Sequence, residues 1–341
     1  MTFGLGDLAV PIVGAPMAGG PGTPALAAAV SDAGGLGFLA AGYLSADRLA
    51  ADVTATRATT AGPIGVNLFV PQPSVADTAS LDEYARHLGP LARRYGVQLG
   101  HPHPDDDGWH QKLEVVSDVA PEAVSFTFGA PGADVLARLR GLGILTLVTV
   151  TSEYEAGVAL AAGADVLVVQ GPAAGGHRGT FAPDVTPGQV LLTDLLAQIT
   201  AAHQAPIVAA GGLSVAADVD SVLRRGATAA QVGTALLLSD EAGTNAVHRA
   251  ALQNPQFGGT VVTAAFSGRC ARGLENDFVR RFDAAAPLGY PEVNQLTKPI
   301  RAAAVVAGDP HGTSLWAGTG FAAARTGGAA QIVAELAVVR T

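Results

Sequence analysis

Several residues in this 341-residue chain have the types and spacing that chemistry asks for. His177 sits in the glycine-rich run Q-G-P-A-A-G-G-H-R-G (170–179). Its small neighbours leave room for a ligand and little apolar packing for the ring. A side chain that titrates near neutral pH suits proton transfer or a hydrogen bond to a reacting anion. Asn67 and Gln170 are amides near the ends of otherwise apolar runs. Buried amides demand partners, either nearby backbone or a flat heterocycle carrying donors and acceptors, such as a flavin ring. Gly211 and Gly212 precede Ser214, and Gly233 and Thr234 close the run Q-V-G-T (231–234). Glycine lets backbone approach an anion closely. A helix opening near Ser214 would aim free N–H groups and its dipole at the same spot. Each glycine motif alone is a tight turn; paired on neighbouring strands they read as one phosphate site. A single phosphate beside a flat ring suggests FMN. The first apolar run is not followed by GxGxxG, which speaks against a Rossmann dinucleotide site.

Other candidates are weaker. His101, His103 and His110 surround Asp105–Asp107, a density that can bind metal, but prolines at 102 and 104 and the run of three aspartates predict a solvated loop and no metal. His87, His203, His248 and His311 have no motif around them. Cys270, the single cysteine, lies in F-S-G-R-C-A-R-G without an evident base, so it is not expected to be a nucleophile.

These residues need elements to position them. Eight short apolar runs alternate with helix-like stretches: Pro11–Met17, Leu36–Gly42, Ile64–Val70, Ala123–Gly129, Leu145–Val150, Asp165–Gly171, Pro206–Gly212 and Ala227–Leu238. Most are continuously apolar, as parallel strands buried on both faces require. Helices are predicted at Thr23–Ala33, Ser45–Arg57, Ala133–Arg140, Ser152–Ala162 and Ser214–Arg225, most of them opening on a capping Ser or Thr. The alternation predicts an α/β fold, a (β/α)8 TIM barrel, with a doubly wound open sheet as the alternative. The candidate residues then gather at strand ends, where barrels carry their chemistry, and the phosphate motifs follow strands seven and eight. Residues 71–122 exceed one connection and predict a helix at Leu81–Tyr95, a polar loop and a second short helix. Residues 239–312 carry helical patches without a clear strand series and read as a smaller, mainly helical domain over the barrel mouth. Residues 1–238 and 313–341 then form the barrel, with Ala329–Val339 as a closing helix.

Composition narrows the partners. Hydrophobic residues make up 49% of the chain, which supports a large core. Charged residues are 14%, against roughly 25% in an average globular chain. The net charge of −9 without a basic block excludes nucleic acid and anionic membrane as natural partners. Any anionic substrate therefore needs a local cation. One cysteine excludes an internal disulfide framework, and Met1–Val10 lacks the basic region of a secretory signal, so a cytoplasmic location is expected.

The strand-end motifs resemble those of the nitronate monooxygenases, formerly called 2-nitropropane dioxygenases. The likeness runs through G-A-P-M-A-G-G (14–20), A-A-V-S-D-A-G-G-L-G (28–37), G-V-N-L-F (65–69), S-F-T-F-G (125–129), the His177 loop and Q-V-G-T. It continues in Y-P-E-V-N-Q-L-T-K-P-I-R (290–301) and L-W-A-G-T-G (315–320), pieces similar to the class I branch. The resemblance implies an FMN-dependent TIM-barrel enzyme that oxidises alkyl nitronates, often propionate 3-nitronate, with O2 to a carbonyl product and nitrite. It places Asn67, Gln170, Gly175, Gly212 and Gln231, Val232, Gly233 and Thr234 on FMN, and Met17 against its ring. It makes His177 the active-site histidine and sets Tyr290 and Lys298 in the substrate pocket. Thr127 and Asn294 stand where some members carry a histidine and a tyrosine, and both would line that pocket. The partners it implies are a nitronate or nitroalkane and O2, for a monomer or homodimer. The alternatives are an NAD(P)H-dependent flavin reductase of the enoyl-ACP or quinone reductase type, and a barrel that binds a phosphorylated ligand without redox chemistry.

Overall fold

The computed structural model describes residues 3–337. Eight parallel strands close into a barrel: β1 (Ile12–Gly14), β2 (Leu36–Ala40), β3 (Ile64–Phe69), β4 (Ala123–Thr127), β5 (Leu145–Val150), β6 (Val166–Gln170), β8 (Ile207–Ala210) and β9 (Ala229–Val232). Closure comes from β9 pairing with β1, Val13 opposite Gln231. Register brings the strand-end amides into line: Asn67 pairs with Ser125, and Gln170 with Ala210, which pairs in turn with Gln231. A short strand, β7 (Gly176–His177), leaves the barrel and joins β10 (Thr260–Thr263) and β11 (Ala271–Leu274) in an antiparallel sheet of order β10–β11–β7.

The helices are α1 (Pro24–Asp32), α2 (Ala46–Arg57), α3 (Thr78–Arg94), α4 (Trp109–Val119), α5 (Ala133–Gly141), α6 (Glu153–Ala162), α7 (Leu192–Ala202), α8 (Ala216–Arg224), α9 (Ala246–Gln253), α10 (Asp277–Phe282), α11 (Glu292–Val306) and α12 (Ala329–Leu336). Capping sets several starts. The side chains of Thr23, Ser45 and Ser152 accept from N–H groups in the first turns of α1, α2 and α6, and Asp77 caps α3. The helix α7, absent from the sequence expectation, begins at Leu191 with no side-chain cap. Val338 and Val339 of the expected closing helix lie outside the described residues.

Two apolar layers hold the barrel. Strand residues such as Val66, Phe126 and Val169 pack outward against the helices, while Val13, Phe38, Leu147 and Val208 fill the barrel and meet Leu5 from the N-terminal side. A separate core joins Tyr84, Leu88 and Leu91 of α3 to Phe266, Phe278, Phe282 and Val293. The insertion after β3 therefore builds the same cluster as residues 239–312. That second segment also contains β10 and β11, which the expectation of a mainly helical addition omitted: four residues each are too few for periodicity to reveal. The eighth apolar run is likewise shorter as a strand, because after Val232 the chain turns at Gly233 into a 3₁₀ turn at Thr234–Leu236. No helix among the described residues is long and apolar enough to cross a membrane.

Gly37 shows how tightly α1 lies on β2: a Cβ there would come within 1.9 Å of the Ala27 carbonyl oxygen. Gly37→Ala should lower stability by about 2–3 kcal/mol, an overpacking cost, measured as a shifted urea midpoint. An unchanged midpoint would show that α1 lifts off at no cost.

Candidate active site

The ends of β3, β4, β6, β8 and β9 converge on one mouth. After β8, Gly211 (φ +104°) and Gly212 (φ +78°) are successive left-handed residues. Backbone in this region, with no Cβ in the way, can approach an anion closely. A Cβ on Gly212 would lie 2.8 Å from that of Ala173, and one on Gly175 would lie 2.5 Å from the Gly318 nitrogen, so neither position has room for a side chain. Thr234 Oγ1 accepts from Gly318 N at 2.9 Å, leaving its own proton to donate. Met17 is half-buried beside Gly233, where a Cβ would be 3.7 Å from its sulfur. Gln231 and Gly233 are half-buried and Val232 is buried. This glycine cradle has room for a phosphate, but the helix donors expected near Ser214 do not join it: Ser214 N and Val215 N both donate to Asp218 Oδ2, at 2.9 and 3.1 Å, and α8 is capped at Val215.

The two amides behave differently. Asn67 is buried; its Nδ2 donates to Ser125 Oγ (2.9 Å), Ser125 O (3.2 Å) and Thr127 Oγ1 (3.0 Å), while its oxygen takes no donor among the described residues. Gln170 turns both ends to its own loop: Nε2 donates to the His177 carbonyl (3.1 Å) and Oε1 accepts from Gly179 N (2.9 Å). It braces the histidine loop through backbone.

His177 stands among rings: Phe128 at 5.9 Å, Tyr290 at 5.8 Å and Trp316 at 5.6 Å between centroids. Its Nε2 lies 2.8 Å from Ser267 Oγ. The Ser267 hydroxyl also reaches the Arg269 carbonyl at 3.1 Å. Burial pushes the imidazole pKa down to about 3, and the guanidiniums of Arg269 and Arg301 further oppose a second positive charge.

Those arginines are the functional residues that sequence reasoning missed. Arg269 is buried, stacked 3.9 Å from the Phe128 ring centroid, and donates to Gln72 Oε1 and to the Thr180 and Arg178 carbonyls. Arg301 donates from Nε to Thr297 Oγ1 (3.1 Å) and from Nη2 to Asn294 O (2.8 Å) and Oδ1 (2.7 Å). Neither forms an ion pair with a carboxylate among the described residues, so an acidic chain concentrates positive charge beside its histidine. Arg269 adjoins Cys270, and Arg301 ends the stretch that carries Lys298; no local motif marks either arginine. Lys298 is exposed one turn beyond Asn294 on α11. Tyr290 is half-buried against His177, and Thr127 is half-buried at the end of β4. His101 and His103 stay on an exposed loop, and no cluster of three or more His, Cys, Asp or Glu suited to a metal occurs among the described residues.

A closed (β/α)8 barrel with a histidine, two arginines and a glycine cradle at its mouth defines the class as a barrel enzyme. The model of the nitronate monooxygenase family matches residues 5–338. A nitronate monooxygenase of Pseudomonas aeruginosa is 41% identical over 96% of this chain and 95% of its own, and one from Paraburkholderia phytofirmans is 39% identical over 96% and 91%. The structure of nitroalkane oxidase from Streptomyces ansochromogenes superposes with a TM-score of 0.94 at 46% identity, covering 97% of this chain and 96% of that one. FabK from Thermotoga maritima is more distant, with a TM-score of 0.75 at 25% identity and coverage of 97% and 92%. The chain belongs to the nitronate monooxygenase family, and is an oxidoreductase of that family.

His177 should stay neutral through the working pH range. Its histidine NMR shifts should be flat from pH 5 to 9; a titration inside that window would contradict the buried, cation-flanked ring. The sign for stability follows. His177, at about 3, and His248, which burial lowers to about 4, have folded pKa values below the unfolded value of 6.5. Their contribution is complete above about pH 6.5 and fades as pH falls toward those folded values, visible as a falling melting temperature.

Proposed function

We propose that this protein oxidises small alkyl nitronates with O2, using FMN, to a carbonyl product and nitrite. The observation that carries this reading is a neutral imidazole beside two guanidiniums, Arg269 and Arg301, that form no ion pair among the described residues. That arrangement favours a small planar anion and does not favour taking a proton from carbon. Gly211, Gly212, Gly233 and Thr234 would hold the FMN phosphate, and Met17, Asn67 and Gly175 would border the rest of it. Bound there, FMN supplies the electron-accepting ring and the reaction with O2.

The chain's own residues do the remainder. Arg301 and Arg269 offset the charge of the nitronate. The His177 loop, braced by Gln170 and joined to β11 backbone, orients the imidazole. Phe128, Tyr290 and Trp316 keep water away from it. With so low a pKa, His177 serves preformed nitronates better than neutral nitroalkanes, because it is a weak base until an anion binds beside it. A cytoplasmic location belongs to the same proposal.

Purified protein loaded with FMN should consume oxygen and release nitrite from propyl-1-nitronate. Flavin bleaching by NADH or NADPH under argon, with no nitrite from any nitronate, would replace this reading with a flavin reductase. Arg301→Met should raise KM for the nitronate about tenfold or more, the loss of a charge-assisted contact; an unchanged KM would remove Arg301 from substrate binding. Gly212→Val should lower flavin content per protein in the visible spectrum, since the site has neither room nor a suitable φ for the side chain. Full flavin content in a folded variant would reduce Gly212 to a turn residue.

A further inference from the structure

Outside His177 lies a small open cleft. Its inner walls are Phe128 and Tyr290, the rings that touch His177, and they continue outward as Phe69 and Tyr43. Its outer rim is Asp105, Asp106 and Asp107, with amides from Gln72, Asn294 and Gln295 between. Among the described residues no Lys, Arg or His lines it. Three cations stand behind its walls: Arg269 stacks on Phe128, Arg301 holds Asn294, and Lys112 pairs with Asp107.

The rim is a built feature. Asp107 is left-handed (φ +57°), accepts from Tyr43 N at 2.9 Å and pairs with the fully buried Lys112 Nζ at 2.7 Å. Tyr43 is itself left-handed (φ +68°), a rare state for a bulky side chain that persists only where surroundings impose it. Its ring meets Phe69 edge-on at 5.7 Å. Lys112 neutralises Asp107, so the net charge of the rim comes from Asp105 and Asp106, both exposed. Their positions are set by turn bonds from Asp107 N (2.8 Å) and Gly108 N (3.0 Å).

We propose that this cleft receives the substrate's tail and selects against carboxylate-tailed nitronates, so that the natural substrates are nitronates with uncharged or cationic tails. The inference rests on the reading above, that a planar anion binds beside His177. With that head in place, the tail follows the aromatic wall outward and ends at Asp105 and Asp106. A second carboxylate there meets two of its own sign, at a cost of about threefold to fivefold in affinity for each exposed charge. An ammonium gains by the same rule.

The test uses FMN-loaded protein and three carboxylates whose planar anionic head resembles a nitronate: butanoate, succinate and 4-aminobutanoate. Calorimetry should show butanoate binding at least about fivefold tighter than succinate, and 4-aminobutanoate at least as tightly as butanoate. Replacing Asp105→Asn and Asp106→Asn together keeps the turn acceptors and should bring succinate within about twofold of butanoate. Succinate binding as tightly as butanoate, a gap unchanged in the double variant, or no binding by any of the three would overturn the proposal. So would tight succinate binding that Lys298→Met abolishes, which would anchor a carboxylate tail on that lysine. Nitrite release from propyl-1-nitronate separates the two readings. The predicted binding order without nitrite supports the selection and removes the oxidase; nitrite with the order reversed does the opposite.

Discussion

Arg269 is a cation held in the interior by neutral acceptors alone. Its guanidinium reaches Gln72 beyond β3, lies on Phe128 beyond β4, and donates to carbonyls of Arg178 and Thr180 beyond β6. It is rooted in the segment that carries β11. One side chain therefore ties three strand ends to the structure above them. Hydrogen bonds from the charged donor offset the cost of removing the ion from water. A well-packed apolar side chain of similar volume would avoid that cost altogether, so stability alone does not account for an arginine here.

Its charge does. A carboxylate partner would make the site cheaper to bury and would also extinguish its field. Without a carboxylate partner among the described residues, Arg269 and Arg301 reinforce the desolvation that holds His177 neutral, and they bring positive charge to the barrel mouth inside a chain of net charge −9. Burial lowers the pKa of Arg269 itself to about 10, still well above neutrality, so the charge persists where enzymes work.

The barrel was legible because its signals are local. Continuous apolar runs marked seven strands to within a few residues, while the eighth ran on past Val232 into the 3₁₀ turn; Thr23, Ser45 and Ser152 cap helices as their types suggest. His177 and the paired glycines were legible because their small neighbours are unusual. What escaped depends on contacts distant in sequence. β7 is two residues long and exists because β11 pairs with it. Gln170, read as a contact for a heterocycle, spends its amide on the loop seven to nine residues downstream. The sequence search for a local cation settled on Lys298, one of only two lysines, whereas the positive charges beside His177 come from arginines whose neighbours only the fold brings together.

The backbone pairing of His177 with Ala271 has an architectural consequence. In most barrel enzymes a loop after a strand can be exchanged while the stave beneath it stays put. Here the histidine-bearing loop is an edge of another sheet, so its alignment is inherited from outside the barrel. Grafting the overlying segment from a distant relative would transplant the aim of the imidazole with it, and such chimaeras would succeed or fail as whole mouths, not as interchangeable parts.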